Sequence, residues 1–110
     1  MELYEVRITE YALEAMREIA HYIAYDLLAP QAAVNTLKAI RAEIKSLDTM
    51  PNRVPLTDDE PWHSEGIRKM PVNNYLVYFW INEYEHIVHV TNVLYARRDQ
   101  KNVLQDMPKT

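Results

Sequence analysis

Two basic pairs, Arg68-Lys69 and Arg97-Arg98, and the tyrosines near them are the residues whose types best suit a chemical task. A guanidinium stays charged at any physiological pH and offers a planar fork that meets phosphate oxygens two at a time. Tyr75, Tyr78 and Tyr95 lie close to these pairs in sequence. Phenol rings can stack on bases, and the hydroxyl can donate a proton. The combination points to phosphate or RNA chemistry. The plainer account is that the arginines hold acidic neighbours and the rings fill the core, since aromatic strands are mostly core. All of these residues fall between Gly66, the only glycine, and Asp99; the same stretch holds the densest apolar run, Tyr75 to Ile81.

Other chemistry is poorly served. His86 and His89 are three apart on a predicted strand, and odd spacing sends them to opposite faces, away from a shared ion. His21 falls on a predicted helix and His63 in a predicted loop. The Asp58-Asp59-Glu60 run reads as solvated surface in a proline-rich segment rather than a cation site. One glycine allows no Gly-rich phosphate loop, and zero cysteines exclude disulfides and thiolate ligands. No metal and no cofactor is expected.

At 110 residues the chain fits a single domain, 1–110, with 48% hydrophobic and 25% charged residues marking it as globular. MELYEVRIT at the start lacks an apolar signal core, and no window approaches the roughly 18 apolar residues of a membrane span. The expectation is a cytoplasmic protein with no membrane partner. A net charge of −4 opposes non-specific nucleic-acid binding, but it is unevenly spread. Residues 1–65 carry six basic and twelve acidic side chains, net −6; residues 66–110 carry six and four, net +2. Positive charge collects around the basic pairs.

The elements that must position these residues follow from apolar spacing. Leu3 to Ile8 alternates, predicting a strand with Tyr4, Val6 and Ile8 inward. Thr9 suits an N-cap, and Ala12, Met16, Ile19, Ala20, Ile23 and Leu27 then step by three and four, predicting a helix from Thr9 to about Leu27. Ala29-Pro30 breaks it. Ala33, Leu37, Ile40, Ile44 and Leu47 predict a second helix over Pro30 to Thr49, packed antiparallel to the first. Pro51 to Ser64, with its three prolines, reads as loop. Three strands follow: Ile67 to Val72, Asn74 to Ile81 and Ile87 to Tyr95, with a polar turn at Asn82 to Glu85 and a short helical turn over Arg98 to Gln105. The predicted class is α+β, in the order β-α-α-β-β-β, with a helical hairpin on one face of a mostly antiparallel four-stranded sheet. Arg68, at the start of one strand, and Arg97-Arg98, after the last, are expected to approach one region of that sheet.

Several segments resemble toxins of the RelE/ParE superfamily of bacterial type II toxin-antitoxin systems, also called plasmid stabilisation proteins. The resemblance rests on APQAA at Ala29 to Ala33, PLTDDE, GIRKM, NNYLVYFWINE and VHVTNVLYARRDQKNVL, and spans nearly the whole chain. It implies the same β-α-α-β-β-β fold, a toxin, and a cognate antitoxin as partner. Function divides within the superfamily. RelE-like members cut mRNA on the ribosome with Lys and Arg side chains plus a Tyr or His; ParE-like members share the fold and poison DNA gyrase.

Carried onto this chain, the ribonuclease pattern makes Arg68, Arg97 and Tyr95 the catalytic set, with Tyr95 as acid, and Arg98, Lys69 and Lys101 the substrate contacts. The chain departs from that pattern where it matters. Tyr75 stands where the ribonucleases place an Arg before the LVY-like run, and no Tyr or His follows Arg98. Cleavage through the 2′-hydroxyl needs a base, an acid and stabilisation of the phosphorane, and arginine is a poor base. The implied function is a ribosome-dependent mRNA interferase, an endoribonuclease without metal. The alternative is a ParE-like gyrase inhibitor or an inactive binding protein of the same fold.

Overall fold

The computed structural model describes residues 2–97. Its elements are β1 (Glu5–Ile8), α1 (Glu10–His21), α2 (Pro30–Lys45), β2 (Arg68–Val72), β3 (Tyr75–Asn82) and β4 (Ile87–Tyr95), the expected order. They form one four-stranded sheet in the order β1-β4-β3-β2. β2, β3 and β4 pair antiparallel, and β1 joins as a parallel edge strand on β4. The sheet is therefore mixed, because the two helices carry the chain back to the starting end before it returns. The short helical turn expected over Arg98 to Gln105, and the side chains of Arg98 and Lys101, lie outside the described residues.

Thr9 caps α1 as its residue type predicts: its hydroxyl accepts from the Ala12 amide at 3.1 Å, and Glu10 lies in the first turn. The helix is α only to His21; Tyr22–Asp26 continues it as a π-helical turn, with the Ala29 amide donating to the Ile23 carbonyl at 3.0 Å. Such turns are rare and frequent at functional sites. Leu28 adopts φ 52° as the chain reverses into Pro30. α2 ends at Lys45 and tightens into a 3₁₀ turn over Ser46–Asp48, short of the predicted Thr49.

The helices cover one face of the sheet. Met16 of α1 and Ile40 and Ile44 of α2 pack with Met70, Val77, Phe79 and Val90 from the strands. A smaller cluster, Ile67, Leu76, Tyr78 and Leu94 with Trp62 and Trp80 against it, fills the opposite face. The two faces are set by pleat alternation, with one interruption. The register shifts between Tyr78 and Phe79, which pair with Asn92 and Val90, so Thr91 is an extra residue in β4. This bulge returns Val93 to the helix side with Val88 and Val90, where plain alternation would turn it away.

The segment predicted as loop is tied to β2 rather than loose. The Thr57 amide donates to the Ile67 carbonyl at 2.9 Å and the Lys69 amide to the Pro55 carbonyl at 3.3 Å, covering part of the β2 edge. Asn73-Asn74 makes a two-residue turn between β2 and β3, with Asn73 at φ 54°. No described helix is long and apolar enough to cross a membrane.

Candidate functional site

The register decides which of the candidate residues can meet. Arg68 pairs across β2–β3 with Phe79, whereas Tyr95 sits on β4 opposite Tyr75, which pairs with Val72. Four residues of strand and two strand spacings separate Arg68 from Tyr95, roughly 16 Å at usual strand dimensions. Arg97 lies just beyond Tyr95, exposed in the turn after β4. Arg68 and the Tyr95–Arg97 end are thus at opposite ends of the sheet. The expected convergence on one region is corrected: β3 lies between β2 and β4, and Arg68 opens β2 at one end of the sheet while Tyr95 closes β4 at the other.

Arg68 has work of its own. It shares pleat parity with Met70 and Val72, and its guanidinium donates to the backbone carbonyls of Val54 and of Asn52, the latter at 3.3 Å. It fastens the 3₁₀ turn Pro51–Arg53 and the residue after it onto the sheet. An Arg68→Met variant is expected to lose about 1–3 kcal/mol of stability, because two carbonyls lose a charged donor. Thermal unfolding checks this; an unchanged midpoint would show that the guanidinium is not holding this turn. Lys69 falls on the opposite face, paired with Tyr78 and half-buried.

Between these two ends, the face away from the helices is apolar. Ile67 and Tyr78 are fully buried there, with Leu76 and Leu94 beside them. Burial, with a further push from Asp59, raises the Tyr78 hydroxyl to about 12. Burial, then Tyr95 and Tyr22, raises Tyr75 above the ordinary 10.0. Both phenols are therefore neutral near pH 7 and weak as acids, which need a pKa nearer the working pH. Tyr95 is partly exposed, its ring edge-on to Tyr75 at 5.6 Å.

Further along the same face a row crosses three strands: Arg7 on β1, His89 on β4 and Trp80 on β3 are register partners. His89 stacks on Trp80, centroids 4.5 Å apart and planes 17° off parallel, and Arg7 is paired with Glu5. Burial first, then Arg7, holds the His89 imidazole below its ordinary 6.5. The unfolded chain takes up the proton more readily, so this stability is present above about pH 6.5 and is lost as pH falls through the folded value. The midpoint of thermal unfolding should fall on going from about pH 7 to about pH 5.5, and His89→Phe should flatten that segment. Equal slopes in the two proteins would refute the assignment. The Glu5 carboxyl, lowered chiefly by its hydrogen bond to Arg7, responds in a separate window below 4.5.

His86 is not on β4 as predicted. It lies in the preceding turn at φ 56°, its ring tilted 36° against Tyr4 with centroids 5.0 Å apart, and Glu2 at 3.6 Å. Among the described residues no three His, Cys, Asp or Glu side chains converge as a metal site would require.

Sequence reasoning passed over a groove. Tyr11, Ala15, Glu18 and Tyr22, at steps of four, three and four, line one wall from α1 and its π-helical turn; Tyr75, Val93 and Tyr95 line the other. The groove encloses about 700 Å³. Its signal was present as a second helical stripe beside the core stripe, too mixed in polarity to count as core.

The comparisons with known proteins agree with this architecture. Residues 6–100 match the model of the ParE toxin of type II toxin-antitoxin systems, parDE. The chain belongs to the ParE toxin family, within the RelE/ParE superfamily. Among solved structures it is similar to a chromosomal ParDE toxin-antitoxin system from P. aeruginosa, with TM-score 0.68 and 16% identity over 86% of this chain and 98% of that one. It is similar to RelE of E. coli in the free state, with TM-score 0.62 and 13% identity over 92% of each chain. The RelBE2 toxin-antitoxin complex from Mycobacterium tuberculosis aligns at TM-score 0.58 and 17% identity, over 84% of this chain and 98% of that one. At these identities the likeness is one of fold. Comparison with curated protein sequences gives no significant match.

Proposed function

We propose that this type II toxin acts by occupying a target protein, in the ParE-like manner with DNA gyrase as the target, and not as a ribosome-dependent mRNA interferase. The observation carrying this reading is the roughly 16 Å between Arg68 and Tyr95. A phosphorane is stabilised only by donors within hydrogen-bond reach of one phosphate. A Tyr95 acid with Arg97 would have to work without Arg68, whose guanidinium is engaged with Val54 and Asn52. On the sheet face they share, the residues between them are the buried apolar Met70, Val72 and Val77 rather than cations. Arg97, with Arg98 and Lys101 following it in sequence, then serves as contact surface, and Lys69 as a separate contact on β2. A cognate antitoxin holds the toxin inactive in the cytoplasm; the similar ParDE and RelBE2 structures are described as toxin-antitoxin systems.

Induced expression with and without the neighbouring gene tests this, with mRNA integrity and DNA breaks read in parallel. DNA breaks with intact mRNA are expected. Cleaved mRNA in ribosome-bound fractions would instead establish the interferase, and no growth arrest would remove both readings. Arg97→Ala is expected to weaken growth arrest through lost contact; unaltered arrest would take that residue out of the target surface.

A further inference from the structure

The sheet is open along β1. At its other edge the Thr57 amide donates to the Ile67 carbonyl and the Lys69 amide to the Pro55 carbonyl, so residues 55–57 lie along β2. β1 pairs on one side only, in parallel with β4. Its odd-numbered positions face that partner: the Glu5 amide donates to the His86 carbonyl at 2.9 Å, and the amide of Thr9, just past the strand, to the Val90 carbonyl at 3.0 Å. Alternation along a parallel ladder turns the backbone groups of Tyr4, Val6 and Ile8 the other way. The Asp48 carbonyl accepts from the Tyr4 amide at 2.8 Å, which leaves Val6 and Ile8 to present the open edge.

What borders this edge is apolar and cationic. Val6 and Ile8, both half-buried, form with Arg41, Ile44 and Lys45 of α2 a notch of about 250 Å³. Lys38, Arg41 and Lys45 step by three and four, so they lie in one stripe along α2. All three are exposed, and none takes part in an ion pair among the described residues. Glu43, the one acidic residue of α2, is two residues from both Arg41 and Lys45 and so nearly opposite them on the helix. Within residues 1–65, whose net charge is −6, this is a local excess of positive charge.

We propose that the protein this toxin targets docks here through an extended acidic segment. The segment adds a strand to β1, sets an apolar side chain into the notch and lays carboxylates on Arg41 and Lys45. The inference rests on the target-binding reading above and names the chemistry of the contact. That reading needs a surface able to hold another protein. Arg97 alone is one exposed cation, whereas here open backbone groups, an apolar notch and a cationic stripe run side by side. Strand addition supplies main-chain hydrogen bonds, and the alternating side chains of the added strand meet the notch and the charges. A second copy is a poor occupant, because joining two β1 edges antiparallel would bring both Arg41–Lys45 pairs together. A nucleic acid would meet the cations and leave the Val6 and Ile8 backbone groups unpaired.

The probe is a fluorescein-labelled peptide of about 10 residues alternating Val and Glu, the length of a long strand, read by fluorescence polarisation against the full chain. The comparators are a Val/Lys peptide, the Val/Glu peptide N-methylated along its backbone, and a single-stranded oligothymidine of equal length. Saturable binding of the unmethylated Val/Glu peptide is expected, weakened about tenfold by a combined Arg41→Glu, Lys45→Glu change. Arg17→Glu, on α1 and outside the notch, should leave it within about twofold. N-methylation removes donors but no charge and should abolish binding. Bound peptide should slow hydrogen exchange at the Val6 and Ile8 amides; unchanged exchange there would place the peptide elsewhere and overturn the proposal. Equal binding of the oligothymidine or of the N-methylated peptide would reduce the site to a charged patch and also overturn it. In cells the Arg41→Glu, Lys45→Glu variant, shown to be folded by thermal melt, should give fewer DNA breaks on induction. Undiminished breaks from that variant would remove the docking site and leave the target-binding reading standing; cleaved mRNA from the wild-type chain would remove that reading and the proposal with it. A variant that still arrests growth but escapes silencing by the neighbouring gene would assign the edge to that gene's product and overturn the proposal.

Discussion

Replacing Phe79 by alanine is expected to cost about 3–5 kcal/mol of folding stability. Phe79 is fully buried on β3, paired with Arg68 on one side and Val90 on the other, and packs in the cluster that joins both helices to the sheet. Removing the ring takes away its contacts with both layers, and a strand held on both edges cannot close over the hole. A domain of this size is typically stable by only about 5–15 kcal/mol, so the variant keeps a thin margin. At about 4–8 °C per kcal/mol the thermal midpoint should drop by roughly 12–40 °C. Tyr84→Ala is the matched control: Tyr84 is 97% exposed in the β3–β4 turn, and its loss should stay within about 0.5 kcal/mol. A drop for Phe79→Ala no larger than the Tyr84 control would mean that the cluster is loosely packed.

The position of Phe79 in the core was legible because the run Tyr75 to Ile81 is apolar without alternation, which a strand covered on both faces requires. The helices were legible for a similar reason: Met16, Ile40 and Ile44 repeat at helical spacing, and all three are buried. What spacing within an element cannot carry is the relation between elements. That β1 joins β4 in parallel is fixed by the path of the whole helical hairpin, not by any residue of β1. The distance between Arg68 and Tyr95 depends on the Asn73-Asn74 turn, where Pro71 had suggested an irregular strand end instead. The side on which Tyr95 emerges depends on the extra residue at Thr91, marked in sequence only by two polar residues, Thr91-Asn92, inside an apolar run. The expected meeting of Arg68 with the Tyr95–Arg97 end therefore failed on the relation between strands, not on the pattern within one. The groove was missed because Tyr11 and Tyr22 acquire their meaning only when Tyr75 and Tyr95 are laid opposite them.

Tyr95→Phe separates the two mechanisms with the largest functional effect. If the Tyr95 hydroxyl were the acid of an RNA-cleaving site, its removal would cost about 10²–10⁴ in rate, and growth arrest on induction would be lost. If the chain acts by binding, the phenyl ring still meets Tyr75 edge-on, where the centroids are 5.6 Å apart, and still lines the groove. Aromatic contact energy resides mainly in the ring and the area it buries, so the surface is nearly unchanged. The expected result is growth arrest by Tyr95→Phe at the wild-type level of expression, with DNA breaks and without mRNA cleavage. Tyr95→Ala removes the ring as well and should weaken arrest, because contact area rather than proton transfer is then what has been lost. A loss of arrest in Tyr95→Phe as complete as in Tyr95→Ala, with both proteins folded by thermal melt, would return the hydroxyl to the reaction and the chain to the ribonuclease class.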